Sequence, residues 1–296
     1  MKQIDLMIIG AQKAGTTALK NYMGEHPEIL SHLQLEYAFF TIDDEYKTGF
    51  EKGFDKYLPD YQKNETRKVV AKGAAMHYNE HSLKRLAEHN PECKVVFVIR
   101  EPVDRTYSAY QMEVFSGWLK RDFKEIIPIL ENNQKNDELY QSFITKSLYS
   151  DQLPVVYKYF KKDQVRLVLY EEFKDDPVAV CKDLFTWLGV DGSFVPDITV
   201  KHNVSRKAKS ATFSTMLHKL RRNDNLVKKI TKAILPYSTF TRIGNSLIEM
   251  NKSSNKMEPL DDEVNAHLKK FFEPYNNQLS ELSGVDLSRW EKEAMR

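Results

Sequence analysis

Apolar positions along this chain follow two alternating rhythms. Nearly continuous apolar runs, Leu6 to Ile9, Cys93 to Ile99 and Val165 to Tyr170, carry many β-branched residues. A strand buried on both faces needs such a run, so these three predict strands of a parallel sheet. Val69-Val70-Ala71-Lys72-Gly73 predicts a shorter strand ending at a glycine, and Glu28-Ile29-Leu30 another. Between them the spacing turns helical: Ala18, Leu19, Tyr22 and Met23 follow Thr16, and Val103, Thr106, Tyr107 and Tyr110 follow Pro102. Ser82–Glu88, Tyr149–Phe160 and Pro177–Leu188 read as further helices, the last stopped by Gly189. Residues 43–63 read as irregular helical turns, 122–145 as helix and Asp261–Leu282 as a final helix.

This alternation of strand, loop and helix predicts an α/β fold, a parallel sheet flanked by helices, as one domain over residues 1–296. Residues 206–256 break the rhythm. Leu217, Leu220, Leu226, Ile230 and Ile234 lie there among lysines and arginines, which predicts a basic helical insertion packed by its apolar face. A docking face for an acidic acceptor and a membrane-surface patch are the other readings of that stretch.

Composition changes the picture little. A formal net charge of +2 on 296 residues gives no global polyanion signal, so no nucleic-acid partner is expected. Cys93 and Cys181 are the only cysteines and lie far apart, as in a protein with reduced thiols. The chain enters its first strand almost at once, which leaves no room for a signal peptide. No apolar run approaches the ~20 residues that span a bilayer. The cytoplasm is the expected compartment.

The chemistry begins at the first strand. Gly10-Ala11-Gln12-Lys13-Ala14-Gly15 joins it to a helix starting at Thr16. A glycine loop feeding a helix presents free N–H groups and the positive end of a dipole, which suits a phosphate and makes the sheet P-loop-like. The Gly10-x4-Gly15 spacing is that of the nucleotide P-loop, but Thr16-Thr17 stands where a Walker loop has Lys-Ser/Thr, and the lysine lies inside the loop at Lys13. A second anion element is Arg100 at the end of the Cys93–Ile99 strand, with Ser108 two helical turns on. A third is the basic loop Lys201–Ser210, in which Arg206 and Lys207 could close over an anionic ligand. Two separate anion sites on one sheet suggest a nucleotide carrying phosphates at both its 5′ and 3′ ends.

In these residues the chain resembles the PAPS-dependent sulfotransferases, especially the carbohydrate type that includes the heparan sulfate enzymes and bacterial relatives. The resemblance implies that Lys13, Ala14, Gly15, Thr16, Thr17 and Ala18 bind the 5′-phosphosulfate of PAPS (3′-phosphoadenosine 5′-phosphosulfate). It implies that Arg100 and Ser108, in the pattern Arg100-x-Pro102-x-x-Arg105-x-x-Ser108-x-Tyr110, hold the 3′-phosphate. It continues through Ser147-Leu148-Tyr149, Leu169–Phe173, Asp176-Pro177, Phe185-x-x-Leu188-Gly189 and Leu279-x-x-Leu282-x-Gly284. The implied reaction is in-line sulfuryl transfer to an acceptor hydroxyl, with release of PAP. Lys13 and the Thr16-Thr17 helix end stabilise the leaving phosphate, no metal is needed, and Glu36 aligns with the family's catalytic base.

On the acceptor side the chain departs from the family pattern. Leu35 stands where the family has a lysine, Ala38 where it has a histidine, and Lys72-Gly73-Ala74-Ala75-Met76-His77 replaces its E-x-[ST]-P-x-Y segment. Lys72 and His77 are therefore candidates for substrate contact or proton relay. Arg105 reads as a surface or packing residue, and Tyr149 as either core or acceptor cleft. The acceptor is expected on a sugar or glycan, with a small natural product or lipid-linked precursor as the alternative. A P-loop kinase is disfavoured by Thr16 and by a strand that ends in Arg100. A non-catalytic nucleotide- or polyanion-binding module is the rival from another class. The sequence fixes neither the acceptor nor the oligomeric state.

Overall fold

Five strands form one parallel sheet: β1 (Leu6–Gly10), β2 (Ile29–Ser31), β3 (Lys68–Lys72), β4 (Lys94–Ile99) and β5 (Val165–Leu169). The structure is a computed structural model that describes residues 3–62, 65–199 and 259–293. The strand order is β2-β3-β1-β4-β5. Leu6, Met7, Ile8 and Ile9 are wholly buried, as are Val95 to Ile99, because helices cover both faces of a parallel sheet. Met7 lies opposite Val95, and the β1–β4 register shifts between Ile8 and Gly10 just where β1 gives way to its loop.

The strand order fixes where a ligand can bind. From β1 the chain crosses to β2 on one side, and from its neighbour β4 it runs to β5 on the other. Loops leaving two adjacent strands in opposite directions open a crevice at their carboxyl ends, the usual ligand position in such sheets.

The helices are α1 (Thr16–Gly24), α2 (Asp43–Tyr46), α3 (Phe50–Tyr57), α4 (Glu80–His89), α5 (Pro102–Phe115) and α6 (Ile126–Glu131). They continue as α7 (Tyr149–Tyr159), α8 (Tyr170–Asp175), α9 (Pro177–Leu188), α10 (Asp262–Ser283) and α11 (Ser288–Glu293). Side chains of Asn79 and Asp176 cap α4 and α9 by accepting from Ser82 and Ala179 N–H groups. Gly189, at φ +86°, ends α9 in the left-handed region where glycine carries no steric penalty.

Between 122 and 145 the predicted single helix is not found. A 3₁₀ turn over Phe123–Glu125 leads into α6, which stops before Asn133, a residue at φ +50°. A π-helical turn over Tyr140–Ile144 follows. Asparagine tolerates the left-handed conformation better than most residues, so the Asn132-Asn133 pair breaks a pattern that apolar spacing alone reads as continuous.

The described residues group into two compact units. The first contains residues up to 105, 144–199 and those from 269 onward, and with them the whole sheet. Its core joins the sheet to α1, α4, α7 and α9 through Leu19, Leu83, Leu153 and Phe185. The second contains residues 106–143 and, nearer the C-terminus, 259–268. There Arg121 pairs with Glu125 and Asp137, Lys124 with Asp261, and Tyr110 packs on Phe123 at 4.5 Å between ring centroids. The predicted insertion 206–256 lies outside the described residues.

Candidate functional site

At the carboxyl end of β1 the loop is held by its neighbours. Ala11 N–H donates to Val98 O of β4 at 2.5 Å and Ala14 N–H to Ala11 O at 3.1 Å. Lys13 and Gly15 take φ values of +78° and +77°. At Gly15 an added Cβ would also lie 3.2 Å from the rings of Tyr170 and Phe173, so glycine is required there by conformation and by space. Gly15 caps α1 without any side-chain hydrogen bond, leaving the first-turn N–H groups of Thr16, Thr17 and Ala18 without intrahelical carbonyl partners. These groups and the helix dipole suit an anion, as the sequence predicts.

Arg100 follows the last residue of β4. Its Nη1 donates to Lys13 O at 3.3 Å, its Nη2 pairs with Asp104 at 2.9 Å, and its guanidinium lies 4.8 Å from the Tyr170 ring centroid. Tyr170 thus lies against both predicted phosphate elements, the loop at Gly15 and the arginine. The sequence offers Tyr170 only as part of the Leu169–Phe173 pattern and assigns it no role. Behind it Glu171, almost wholly buried, accepts from Glu101 N–H at 3.0 Å and from Trp290 Nε1 at 3.1 Å, tying the start of α5 to α11. Burial pushes the Glu101 carboxyl up to about 7.

On the other flank of β1, at the end of β3, lies a compact charged cluster. Lys72, 1% exposed, donates from Nζ to Glu36 Oε1 at 2.7 Å and to Thr17 Oγ1 at 3.0 Å. The second carboxylate oxygen of Glu36 accepts from Ala74 N–H at 2.8 Å. The neighbouring Lys20 donates to His32 O at 2.9 Å, and His32 Nε2 accepts from the Lys72 N–H at 3.0 Å. Burial, then the like charge of Lys72, pulls Lys20 down to about 8. Lys72 is lowered by burial against the opposing pull of Glu36. His32 is driven down to about 3 by burial and by both lysines, so the ring is neutral.

The loop that carries Glu36 is rigid for a reason visible in its sequence. Tyr37, Phe39 and Phe40 are buried, with Tyr37 packed on Tyr57 at 4.5 Å and Phe39 on Phe50 at 5.7 Å. Tyr37 N–H donates to Lys72 O at 2.6 Å, which sets Glu36 beside the end of β3.

Several predicted residues therefore meet. Glu36, Lys72 and Thr17 form one hydrogen-bonded group, and the Lys13 backbone is joined to Arg100. Other predicted residues fall elsewhere. His77 is 1% exposed, with Nδ1 3.3 Å from Ile9 O and Nε2 3.4 Å from Lys146 O. Burial, then Arg105, drives its ring down to about 3. An added Cβ on Gly10 would sit 2.2 Å from His77 Nδ1, so this histidine fills the space behind the loop and supports it from within. Arg105 and Tyr149 are likewise buried, so Arg105 does not stand at the surface. Ser108 lies on α5, half-buried, in the second compact unit. Arg206 and Lys207 lie outside the described residues.

Comparison with known proteins gives one consistent result. A family model described as "Sulfotransferase domain" matches residues 3–278. The bifunctional heparan sulfate N-deacetylase/N-sulfotransferase 1 of Caenorhabditis briggsae is 25% identical over 192 residues, 62% of this chain but 22% of that protein. The match thus spans about a fifth of the length of the heparan sulfate relatives. A sulfotransferase from Alicyclobacillus acidocaldarius superposes with a TM-score of 0.67 at 23% identity, covering 98% of this chain and 100% of the other. A mouse sulfotransferase solved in complex with PAP gives a TM-score of 0.50 at 15% identity, covering 100% and 91%. These two structures establish the fold.

Proposed function

The chain belongs to the sulfotransferase domain family, and from that premise we propose that it transfers a sulfuryl group from PAPS to an acceptor hydroxyl, on a sugar or glycan, and releases PAP. One observation carries the reading: an uncapped glycine loop at the start of α1 is joined, through Lys13 O and Arg100 Nη1 at 3.3 Å, to an arginine at the end of the adjacent strand. Across β1, the Lys72–Glu36 pair reaches the same helix start through Thr17. An anion cradle with a carboxylate beside its helix suits group transfer between an anionic donor and a neutral nucleophile.

In this reading the Thr16, Thr17 and Ala18 N–H groups and the Lys13 ammonium hold the 5′-phosphosulfate. Arg100 and Ser108 hold the 3′-phosphate, and Arg206 and Lys207 join the cofactor-binding set. The acceptor oxygen attacks sulfur as the bond from sulfur to the 5′-phosphate oxygen breaks, so the leaving charge appears on PAP beside Lys13. Glu36 takes the acceptor proton, and Lys72 supports the carboxylate before that step. No resident metal takes part. The two free, buried cysteines support a cytoplasmic setting.

Thermal-shift titration tests the reading directly. PAP should stabilise the protein more than ATP with magnesium or heparin does. Preference for ATP would favour a kinase, and preference for heparin a polyanion-binding module.

A further inference from the structure

Among the described residues, the two most exposed large apolar side chains are Leu33, at 81%, and Leu35, at 67%. Both lie within three positions of Glu36, on the loop that presents it. Scattered exposed leucines are ordinary, but two beside a reacting group form part of the surface its substrate must meet. The buried aromatic anchors Tyr37, Phe39 and Phe40 follow directly, so the leucines project from a fixed piece of backbone.

The charge of the same region restricts what can bind there. Residues 31–60 carry seven carboxylates and three lysines. Two of those lysines are already paired, Lys56 with Glu45 at 2.7 Å and Lys47 with Asp44 at 3.8 Å. Arg85, which reaches this segment from α4, pairs with Asp43 at 2.6 Å. The buried lysines Lys20 and Lys72 turn inward to His32 O, Glu36 and Thr17. Among the described residues of this segment, a polyanionic chain brought to Glu36 would thus meet net negative charge and few cations to grip it.

We infer that the acceptor is an uncharged amphiphile: a sugar-borne hydroxyl attached to an apolar chain, with the chain seated on Leu33 and Leu35. The inference rests on the sulfuryl-transfer reading and narrows its acceptor. Burying an alkyl chain against leucine surface supplies affinity without any charge partner, and leaves the hydroxyl beside Glu36.

The test compares two glucosides that share a reacting sugar with one polyanion. Sulfuryl transfer from PAPS is measured to methyl and dodecyl β-glucosides, the latter below its micelle concentration, and to heparosan as the polyanion. The dodecyl glucoside should show a KM about tenfold or more below that of the methyl glucoside. The double variant Leu33→Ser/Leu35→Ser should erase that difference while the KM for PAPS stays unchanged. Calorimetric binding of the two glucosides to PAP-loaded protein gives the same comparison without turnover. Equal affinity along the alkyl series, or preferred transfer to heparosan, overturns the inference. If PAP still stabilises the protein in that case, the transferase reading stands alone; if PAP does not stabilise it, both fall.

Discussion

Lys72 Nζ and Glu36 Oε1 stand 2.7 Å apart, with the ammonium 1% exposed and the carboxylate 40% exposed. The lysine is the buried partner and the carboxylate faces outward, so Glu36 is held yet accessible, as its proposed role as base requires. Lys72 also donates to Thr17 Oγ1, so one ammonium ties the proposed base to the start of α1.

Lys72→Met should therefore damage catalysis more than cofactor binding. We expect kcat to fall by about 10²-fold, the scale of losing one directed electrostatic group, while PAP affinity changes little. Lys72→Arg, which keeps a cation beside Glu36 and Thr17, should restore part of the rate. Equal losses in Lys72→Arg and Lys72→Met would assign Lys72 to structure alone.

Lys13→Ala and Arg100→Ala should separate the two ends of the donor. In the proposed mechanism Lys13 stands beside the developing leaving charge, so its loss should lower kcat far more than PAP affinity. Arg100 would hold a phosphate that does not react, and its loss should weaken PAP binding by about tenfold to a hundredfold. Calorimetry with PAP and steady-state kinetics on the two variants check the division. A Lys13→Ala enzyme with full turnover would overturn the mechanism.

Much of this was legible in the chain itself. The apolar runs give β1 and β4 because a doubly covered parallel strand has no polar face to confuse the pattern; β5, at the sheet edge with Arg166 exposed, is still marked by Leu167, Val168 and Leu169. Gly189 and Asp176 mark the ends of α9 through local backbone chemistry. The loop and Arg100 stand out because glycine spacing and a charge at a strand end are local signals. The Lys72–Glu36 contact is not local: 36 residues separate the partners, and only strand order brings them together. His77 shows the same limit: the sequence offers it for substrate contact or proton relay, and only the fold places its ring against Gly10. Tyr170 gives no signal of its own, since its role depends on Gly15 and Arg100 converging on one ring.

Gly10→Ala should be strongly destabilising although the change is one methyl group. The new Cβ would fall 2.2 Å from His77 Nδ1 and 2.7 Å from its Cγ, which forces the ring or the loop to move. Overpacking of this kind costs about 1–3 kcal/mol. His77→Ala in the same chain should recover part of that loss, and a urea double-mutant cycle would show the coupling. Strict additivity would mean that the loop, rather than the ring, absorbs the clash.

Acid should destabilise the protein through its buried histidines, and the sign follows from direction. His32 and His77 sit at about 3 when folded, against an ordinary value of 6.5. Between those limits the unfolded chain binds more protons than the folded one, so stability rises with pH through the window and is lost as pH falls below 6.5. Each such histidine contributes a slope approaching ~1.4 kcal/mol per pH unit. Urea midpoints taken between pH 7 and pH 5 should fall accordingly. His32→Gln lowers the number of protons taken up on unfolding by about one, and so flattens the slope. It also replaces the acceptor of the Lys72 N–H, so its midpoint at pH 7 reports the packing cost separately from the proton count. An unchanged slope in that variant would place the acid sensitivity elsewhere than in the cluster behind Glu36.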